Sequence, residues 1–196
     1  QNVAGIAIAA NDADALQPAL TEAMDAGIKV ISLDSAVNKD SRQTHIQQAD
    51  PEKIGRGLIQ AAYEMVDGNG GIAVLSATAQ ATNQNLWIEW MKKELEENPE
   101  KYANTPLVKV AYGDDDPTKS TSETQALLTD SSIKVIIAPT TVGMLAAGKV
   151  LQDKQSDVKL TGLGLPSEMA PFIEDGTCPW MYLWNPVDIG YLSGST

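Results

Sequence analysis

The sequence has one cysteine, one histidine and few cations, and each shortage excludes a class of function. Cys178 has no second cysteine with which to form an internal disulfide. Cys178 and His45 together cannot supply the ligands of a Cys/His zinc site. Lys and Arg total 14 against 26 Asp and Glu, which gives a net charge of −12. Because phosphate contact requires clustered cations, nucleic acid is not expected as a partner.

Membrane-spanning runs and catalytic motifs are also missing. No stretch approaches the roughly 20 apolar residues that cross a bilayer. The sequence has no G-x-S-x-G elbow, no Walker-type loop and no G-x-G-x-x-G placed after a strand. A structural role for His45, where a strand begins, is favoured over general-base catalysis. We therefore expect no enzyme activity, no metal and no cofactor.

The composition that is present describes a globular protein. Of 196 residues, 43% are apolar and 20% charged, which is enough to bury a sizeable core. The chain opens at Gln1, directly into the apolar run VAGIAIAA, with neither an initiator Met nor a signal peptide. This opening predicts a processed or cut product whose true N-terminus lies upstream.

Strand-like apolar segments alternate with segments of helical periodicity along the whole chain. Strands are predicted at 3–9, 28–33, 71–76, 107–112, 134–138, 159–163 and 180–184, and helices at 14–26, 51–66, 83–95, 117–128, 142–151, 167–174 and 187–192. This alternation predicts an α/β fold of parallel sheets with right-handed crossovers and helices on both faces.

Polar side chains follow the carboxyl ends of the predicted strands. They are Asn11-Asp12, Asp34-Ser35, Asn83-Gln84, Asp114 to Asp116 and Pro139-Thr140-Thr141. In a doubly wound sheet these loops converge on one edge, and their carboxylate, amide and hydroxyl groups suit a neutral polyol.

Each of these groups also has a structural interpretation. Thr82 is a predicted N-cap, so Asn83 and Gln84 lie in the first turn of a helix. Two interpretations are open for them: the general preference of Asn and Gln for helix starts, and a role in ligand binding. Asp34 is the sharpest candidate, either as a ligand contact or as a cap. For Asp114 to Asp116, capping of the following helix is favoured over a metal site. Trp184 either stacks on a sugar ring or packs, and Trp90 is expected in the core.

Seven segments carry a resemblance to a known family: ANDADAL, KVISLDS, IQQADPEKIGR, ATNQNLWIEWM, YGDDDPTKSTSETQALL, IIAPTTVGM and WNPVDIGYL. Together they resemble the ribose-type periplasmic sugar-binding proteins of ABC importers, nearest to the rhamnose-binding and autoinducer-2-binding branch. The match spans essentially the whole chain, and T-N-Q-N-x-W and A-P-T-T-V-G are fairly specific to that branch.

The resemblance implies a periplasmic-binding-protein type I fold: two doubly wound parallel-sheet lobes, joined by a hinge, that close on one ligand without catalysis. Residues 1–49 and 185–196 would form part of the first lobe, and 50–184 the second lobe. Relative to the family, the first strand–helix units and the closing segments are missing, so the chain is expected to be either a fragment of a longer protein or a protein that has lost these parts.

The resemblance also implies site residues. The binding aspartate of the family falls on Asp34, and the Asp-Gln pair of the autoinducer-2 receptor falls on Asn83-Gln84. The Pro and Ala that this receptor reads fall on Pro139 and Thr141. The full expected set of ligand contacts is Asp34, Asn83, Gln84, Pro139, Thr141, Asn11, Trp184 and Asn185.

Departures from the family pattern favour one ligand class. Asn83 and Thr141 in place of Asp and Ala weaken the autoinducer-2 assignment. Gly164 stands where ribose-binding relatives have an Asp, which argues against ribose. Leu163 or Leu165 could form an apolar wall for the methyl group of a deoxy sugar. These differences favour a rhamnose-like sugar.

The implied setting is that of an importer component. A small neutral sugar and the membrane permease of an ABC importer are the expected partners of a monomer. The implied location is periplasmic or extracellular, with or without a lipid anchor. Alternatives are autoinducer-2 recognition and the ligand-sensing domain of a transcription regulator; an enzyme on the same fold would need turnover by His45 or an aspartate.

Overall fold

The computed structural model describes residues 3–196, and the chain divides into two compact units. The first comprises Gln1–Pro51, Gln80–Leu86 and Trp184–Thr196, and the second comprises Glu52–Ala79 and Trp87–Leu183. These units differ from the predicted lobes mainly in assigning 80–86 to the first. The lobe boundaries at 49/50 and 184/185 stay a prediction.

A three-stranded parallel sheet, in the order β1-β2-β3, forms the centre of the first unit. The elements are β1 (Gly5–Ile8), α1 (Gln17–Asp25), β2 (Lys29–Leu33), β3 (Thr44–Ile46) and α7 (Pro186–Ser195). Its core consists of Ala10, Leu20, Val30 and Val37. The predicted strands and helices are present, and a short 3₁₀ turn at Lys39–Ser41 lies in the predicted polar loop.

Helix α1 begins three residues later than predicted. The carboxylate of Asp12 accepts from the amides of Asp14 and Ala15, which holds those residues in a turn before the helix. Leu16 therefore precedes the helix and is 37% exposed, although the periodicity of a helix over 14–26 would place it on the inner face with Leu20. Gly27 follows the end of α1, where its φ of +84° lies in the left-handed region that favours glycine and stops a helix.

The second unit is built on a four-stranded parallel sheet in the order β5-β4-β6-β7. Its elements are α2 (Pro51–Met65), β4 (Gly71–Ser76), α3 (Thr82–Glu97), β5 (Leu107–Tyr112), α4 (Pro117–Leu127), β6 (Ile133–Ala138), α5 (Thr141–Asp153), β7 (Lys159–Gly162) and α6 (Pro166–Glu174). The residues of α3 up to Leu86 belong to the first unit and the rest to the second. The predicted α/β alternation with parallel sheets is confirmed.

Strand β4 is buried along its whole length, as expected of a central strand in a parallel sheet. Helices α4, α5 and α6 pack in succession, with α5 between the other two. The main core contains Leu75, Ile136, Met144, Leu151 and Phe172. Within residues 3–196, no helix has the combined length and apolar character needed to cross a membrane.

Two predictions about α3 are wrong. Thr82 is the first helical residue and not its N-cap, because the amide of Asn85 donates to the carbonyl of Ala81. Trp87, not Trp90, is the fully buried tryptophan. Trp90 is half-buried, and the ammonium of Lys93 lies 4.0 Å from its ring centroid. The charged neighbour explains why the Trp90 position tolerates partial exposure.

The predicted strand at Trp180 to Trp184 is also wrong. Within it, only Tyr182 pairs with the sheet, through an isolated bridge to Leu163. The carbonyl of Trp180 instead accepts from the Thr161 hydroxyl and the Cys178 thiol. Side-chain donors thus replace the backbone ladder that an added strand would need.

The carboxylate of Glu94 on α3 is 4% exposed and is hydrogen-bonded on both oxygens. Oε1 accepts from the Tyr102 hydroxyl at 2.7 Å and from Gln60 at 3.3 Å, and Oε2 accepts from Arg56 at 2.9 Å. Burial alone would raise the pKa of Glu94, but these donors outweigh it and hold the pKa below its usual value. The network therefore joins α2, α3 and the segment before β5 through one ionised side chain.

We expect Tyr102→Phe to lower the free energy of unfolding by about 1.5 kcal/mol, because it removes a donor to a charged acceptor. A depressed folded-state pKa stabilises the protein above the unfolded-state pKa and loses this effect as pH falls through the folded-state pKa. The decrease in the free energy of unfolding caused by Tyr102→Phe should thus be larger at pH 7 than at pH 3. Urea unfolding at both pH values measures it, with Tyr191→Phe, at a 74% exposed position, as the matched control.

Candidate functional site

The polar residues predicted at the strand ends fall into two sets, one in each unit. Asn11, Asp34, Asn83, Gln84, Trp184 and Asn185 belong to the first unit, and Pro139 and Thr141 belong to the second. Each set is described within its own unit.

Asp34 follows β2 directly and has three unusual properties. Its φ of +55° lies in the left-handed region, which Asp visits more readily than most residues. Among the described residues, its buried Oδ1 atom has no hydrogen-bond partner. Burial raises the pKa of its carboxyl group. A strained residue with an unsatisfied buried acceptor is a typical feature of a ligand contact.

Asn83 is the second buried polar residue of this unit, at 7% exposure. Its Oδ1 accepts a 2.5 Å hydrogen bond from the Ser35 hydroxyl. The neighbouring Thr82 hydroxyl donates to the carbonyl of Ala36 at 3.4 Å. The start of α3 is thereby attached to the loop after β2, which brings Asn83 against the residue that follows Asp34.

The remaining predicted residues of the first unit are more exposed. Asn11 is exposed, and Gln84 and Trp184 are half-buried. The Asn185 side chain accepts from the amide of Val187 at 3.0 Å and so caps α7. Their proposed ligand contacts remain predictions.

In the second unit, the loops after β5 and β6 contact each other. The Thr140 hydroxyl donates to the carboxylate of Asp115. Asp116 accepts from the amide of Lys119 at 2.7 Å, so the predicted capping of α4 is confirmed. Pro139 is buried, and Thr141 is the first residue of α5. The Asp115–Thr140 contact was missed from sequence, because nothing in the spacing pairs two separate loops.

Thr141 also lines a groove of about 260 Å³ among α4, α5 and α6. Leu165, which is 40% exposed, lies in the same groove, whereas Leu163 is only 4% exposed and pairs with Tyr182. Leu165 is thus the accessible member of the predicted apolar pair. At Gly164, a Cβ would lie 2.6 Å from both Met169 and Met181 side-chain atoms, which leaves little room for an acidic side chain.

His45 has the structural contacts that its position predicted. Its Nδ1 lies 2.8 Å from the Ser32 hydroxyl, and its Nε2 lies 3.1 Å from the Gln47 amide oxygen. Both ring nitrogens are therefore engaged within the first unit.

A family model for the periplasmic binding protein domain matches residues 1–195. The chain belongs to this family. The predicted resemblance and type I fold class are therefore confirmed. The family comprises solute-binding proteins.

Solved structures of periplasmic binding proteins give finer comparisons. An ABC transporter solute-binding protein from Clostridium phytofermentas with bound L-rhamnose is 52% identical, with a TM-score of 0.93 over 98% of this chain and 61% of that protein. A sugar ABC transporter protein from Actinomyces odontolyticus is 42% identical, with a TM-score of 0.73 over 96% of this chain and 61% of that one. LsrB from Clostridium saccharobutylicum in complex with AI-2 is 25% identical, with a TM-score of 0.80 over 91% and 58%. The chain thus spans about three-fifths of the length of these relatives.

Proposed function

We propose that the protein is an extracytoplasmic solute-binding component of an ABC importer and that its ligand is L-rhamnose or a similar deoxyhexose. The single observation that carries the proposal is the buried Oδ1 of Asp34, which lacks a hydrogen-bond partner among the described residues.

A buried acceptor without a partner destabilises the folded state. A sugar hydroxyl satisfies such an acceptor by donating to it, and an ionised carboxylate is a stronger acceptor than a neutral oxygen. The first unit places an amide, Asn83, against the residue after Asp34. Carboxylate and amide together offer both acceptor and donor groups, which matches the two roles of a hydroxyl and supports a neutral polyol.

Three features support a deoxyhexose. The relative from Clostridium phytofermentas, which is 52% identical, was solved with L-rhamnose. Gly164 has methionine side chains where an added Cβ would lie, so the acid of ribose-binding relatives is disfavoured there. Leu165 offers exposed apolar surface beside Thr141, which suits the methyl group of a 6-deoxy sugar.

Autoinducer-2 is the second candidate, because the chain is 25% identical to LsrB in complex with AI-2. Gln84 and Pro139 match that receptor's pattern, whereas Asn83 and Thr141 depart from it. The proposal therefore ranks a deoxyhexose above the signal molecule.

The proposal includes the partners that such a component needs. The permease of an ABC importer would receive the sugar, and the binding protein would act as a monomer outside the cytoplasm. It would catalyse no reaction and contact no nucleic acid.

We expect L-rhamnose to raise the thermal unfolding midpoint of the full-length protein by several degrees, because a ligand that binds only the folded state stabilises it. Differential scanning fluorimetry against a panel of L-rhamnose, other deoxyhexoses, D-ribose and D-glucose measures the shift. A signalling-reporter assay on ligand released by heating detects autoinducer-2. If none of the sugars in the panel raises the unfolding midpoint, the deoxyhexose proposal is rejected. A reporter signal from the released ligand would then favour autoinducer-2.

A further inference from the structure

The hydrogen bond from Ser35 to Asn83 determines which end of the amide is available. The Ser35 hydroxyl donates to Asn83 Oδ1 at 2.5 Å. Asn83 is 7% exposed, so its side chain has little freedom to turn into solvent. The carbonyl end of the amide is thus engaged by the protein, which leaves the NH₂ group as the part that can donate to a ligand.

An asparagine amide has two orientations that differ by a half-turn, and they exchange a donor for an acceptor at the same place. A hydroxyl can donate to the carbonyl end of the amide or accept from its NH₂ end, and in this structure Ser35 donates to Oδ1. The orientation present is therefore the one in which the NH₂ group of Asn83 is left to donate elsewhere. The attachment of Thr82 to the carbonyl of Ala36 holds the backbone at this point.

We propose that Ser35 is a positioning residue that fixes Asn83 as a hydrogen-bond donor to the sugar. This inference rests on the proposed function, in which Asn83 and Asp34 contact the ligand. Asp34, as a carboxylate, accepts hydrogen bonds, so Ser35 keeps the second group complementary to the first. A hydroxyl can donate to one and accept from the other, whereas two acceptors would leave its lone pairs unused. Ser35 thereby contributes to selectivity without contacting the sugar.

The test is a double-mutant cycle on the full-length protein, with L-rhamnose as the probe and isothermal titration calorimetry as the measurement. We expect Ser35→Ala to weaken binding about 5- to 10-fold and Asn83→Ala to weaken it at least about 10-fold. If Ser35 acts through Asn83, Ser35→Ala should change affinity less than about 2-fold in the Asn83→Ala background. Ser35→Thr, which keeps the hydroxyl, should stay within about 3-fold of the unaltered protein.

The Asn83→Asp variant tests whether the NH₂ donor of Asn83 matters for binding, because it removes the donor and keeps the shape of the side chain. Asp at this position still accepts from Ser35 but has no NH₂ group, so we expect it to bind L-rhamnose as weakly as Asn83→Ala. Thermal unfolding of each unliganded variant checks that the fold is retained, and Ser35→Thr and Asn83→Asp test the idea even if Ser35→Ala fails to fold.

Two results would overturn the inference alone: full affinity in Asn83→Asp, or an equal loss from Ser35→Ala with and without Asn83. Both results can be obtained only if the unaltered protein binds L-rhamnose. Failure of the unaltered protein to bind it would instead contradict the proposed ligand, and the inference with it.

Discussion

Asp34→Asn should lose most of the sugar affinity while making the unliganded protein more stable. Hydrogen bonds to a charged acceptor contribute about 1.5–3 kcal/mol, so we expect affinity to fall roughly 10- to 100-fold. Asn has the same shape as Asp and also tolerates a left-handed φ, which is +55° here. The exchange therefore removes charge without adding backbone strain.

The opposite effect on stability follows from the pKa of Asp34. Burial raises this pKa, which means that the folded state disfavours the ionised carboxylate. A raised folded-state pKa makes the protein less stable as pH rises from the unfolded-state value through the folded-state value. At pH 7 the ionised side chain thus destabilises the unliganded protein, and replacing it with the neutral Asn removes this destabilisation. We expect the unfolding midpoint to rise by a few degrees.

Sugar binding should show the complementary pH dependence. A hydroxyl that donates to Asp34 stabilises its ionised form, so affinity should fall as the pH is lowered through the raised pKa. Asp34→Asn should lack this component. Calorimetric titration with L-rhamnose between pH 4 and pH 8, together with thermal unfolding, measures both effects.

Asp40→Asn is the matched control, because Asp40 is exposed in the same unit. It should leave affinity and midpoint unchanged. An Asp34→Asn protein that kept full affinity would show that this carboxylate does not contact the sugar, and one that was less stable would contradict the burial argument.

Gly162→Ala should lower the free energy of unfolding by about 3 kcal/mol or more. Gly162 ends β7 with a φ of +146°, which residues with a side chain rarely adopt. A Cβ there would lie 2.0 Å from the carbonyl oxygen of Ala138. Because the obstacle is backbone, and that oxygen also accepts from the amide of Leu163, relief would require β6 and β7 to separate.

A Gly→Ala substitution within a helix should instead raise the free energy of unfolding. Gly57 lies within α2, and a Cβ there meets no atom within 4 Å. Gly57→Ala should therefore stabilise by about 0.8 kcal/mol, the intrinsic helix preference for Ala over Gly. Urea unfolding of both variants, followed by circular dichroism, makes the comparison. Equal midpoints for the two variants would show that the β6–β7 pair accommodates a methyl group.

The fold was predictable because its signals are local. Apolar runs such as Gly71–Ser76 and cap–proline pairs such as Asp116-Pro117 determine their elements within a few residues. The strand predicted at 180–184 was wrong because local composition does not show which groups contact the backbone. Its apolar residues suit a strand, but the side chains of Thr161 and Cys178 donate to the Trp180 carbonyl.

The candidate site was predictable only in part. Asp34 was identified because a polar residue directly follows an apolar strand, which the sequence displays. Its positive φ and unsatisfied oxygen depend on the loop path and could not be inferred from spacing. The role of Ser35 was missed because its partner, Asn83, lies 48 positions away along the chain. Long-range side-chain pairs of this kind have no local pattern.

The one thiol of the chain has a practical consequence. Cys178 is fully buried, and burial raises its pKa to about 11, so at neutral pH it is almost entirely protonated. Thiol reagents attack the thiolate, which makes this native cysteine a slow competitor for labelling. A cysteine engineered on the surface could then carry a fluorophore or spin label without first removing Cys178, and ligand-induced changes could be followed in the otherwise unaltered sequence.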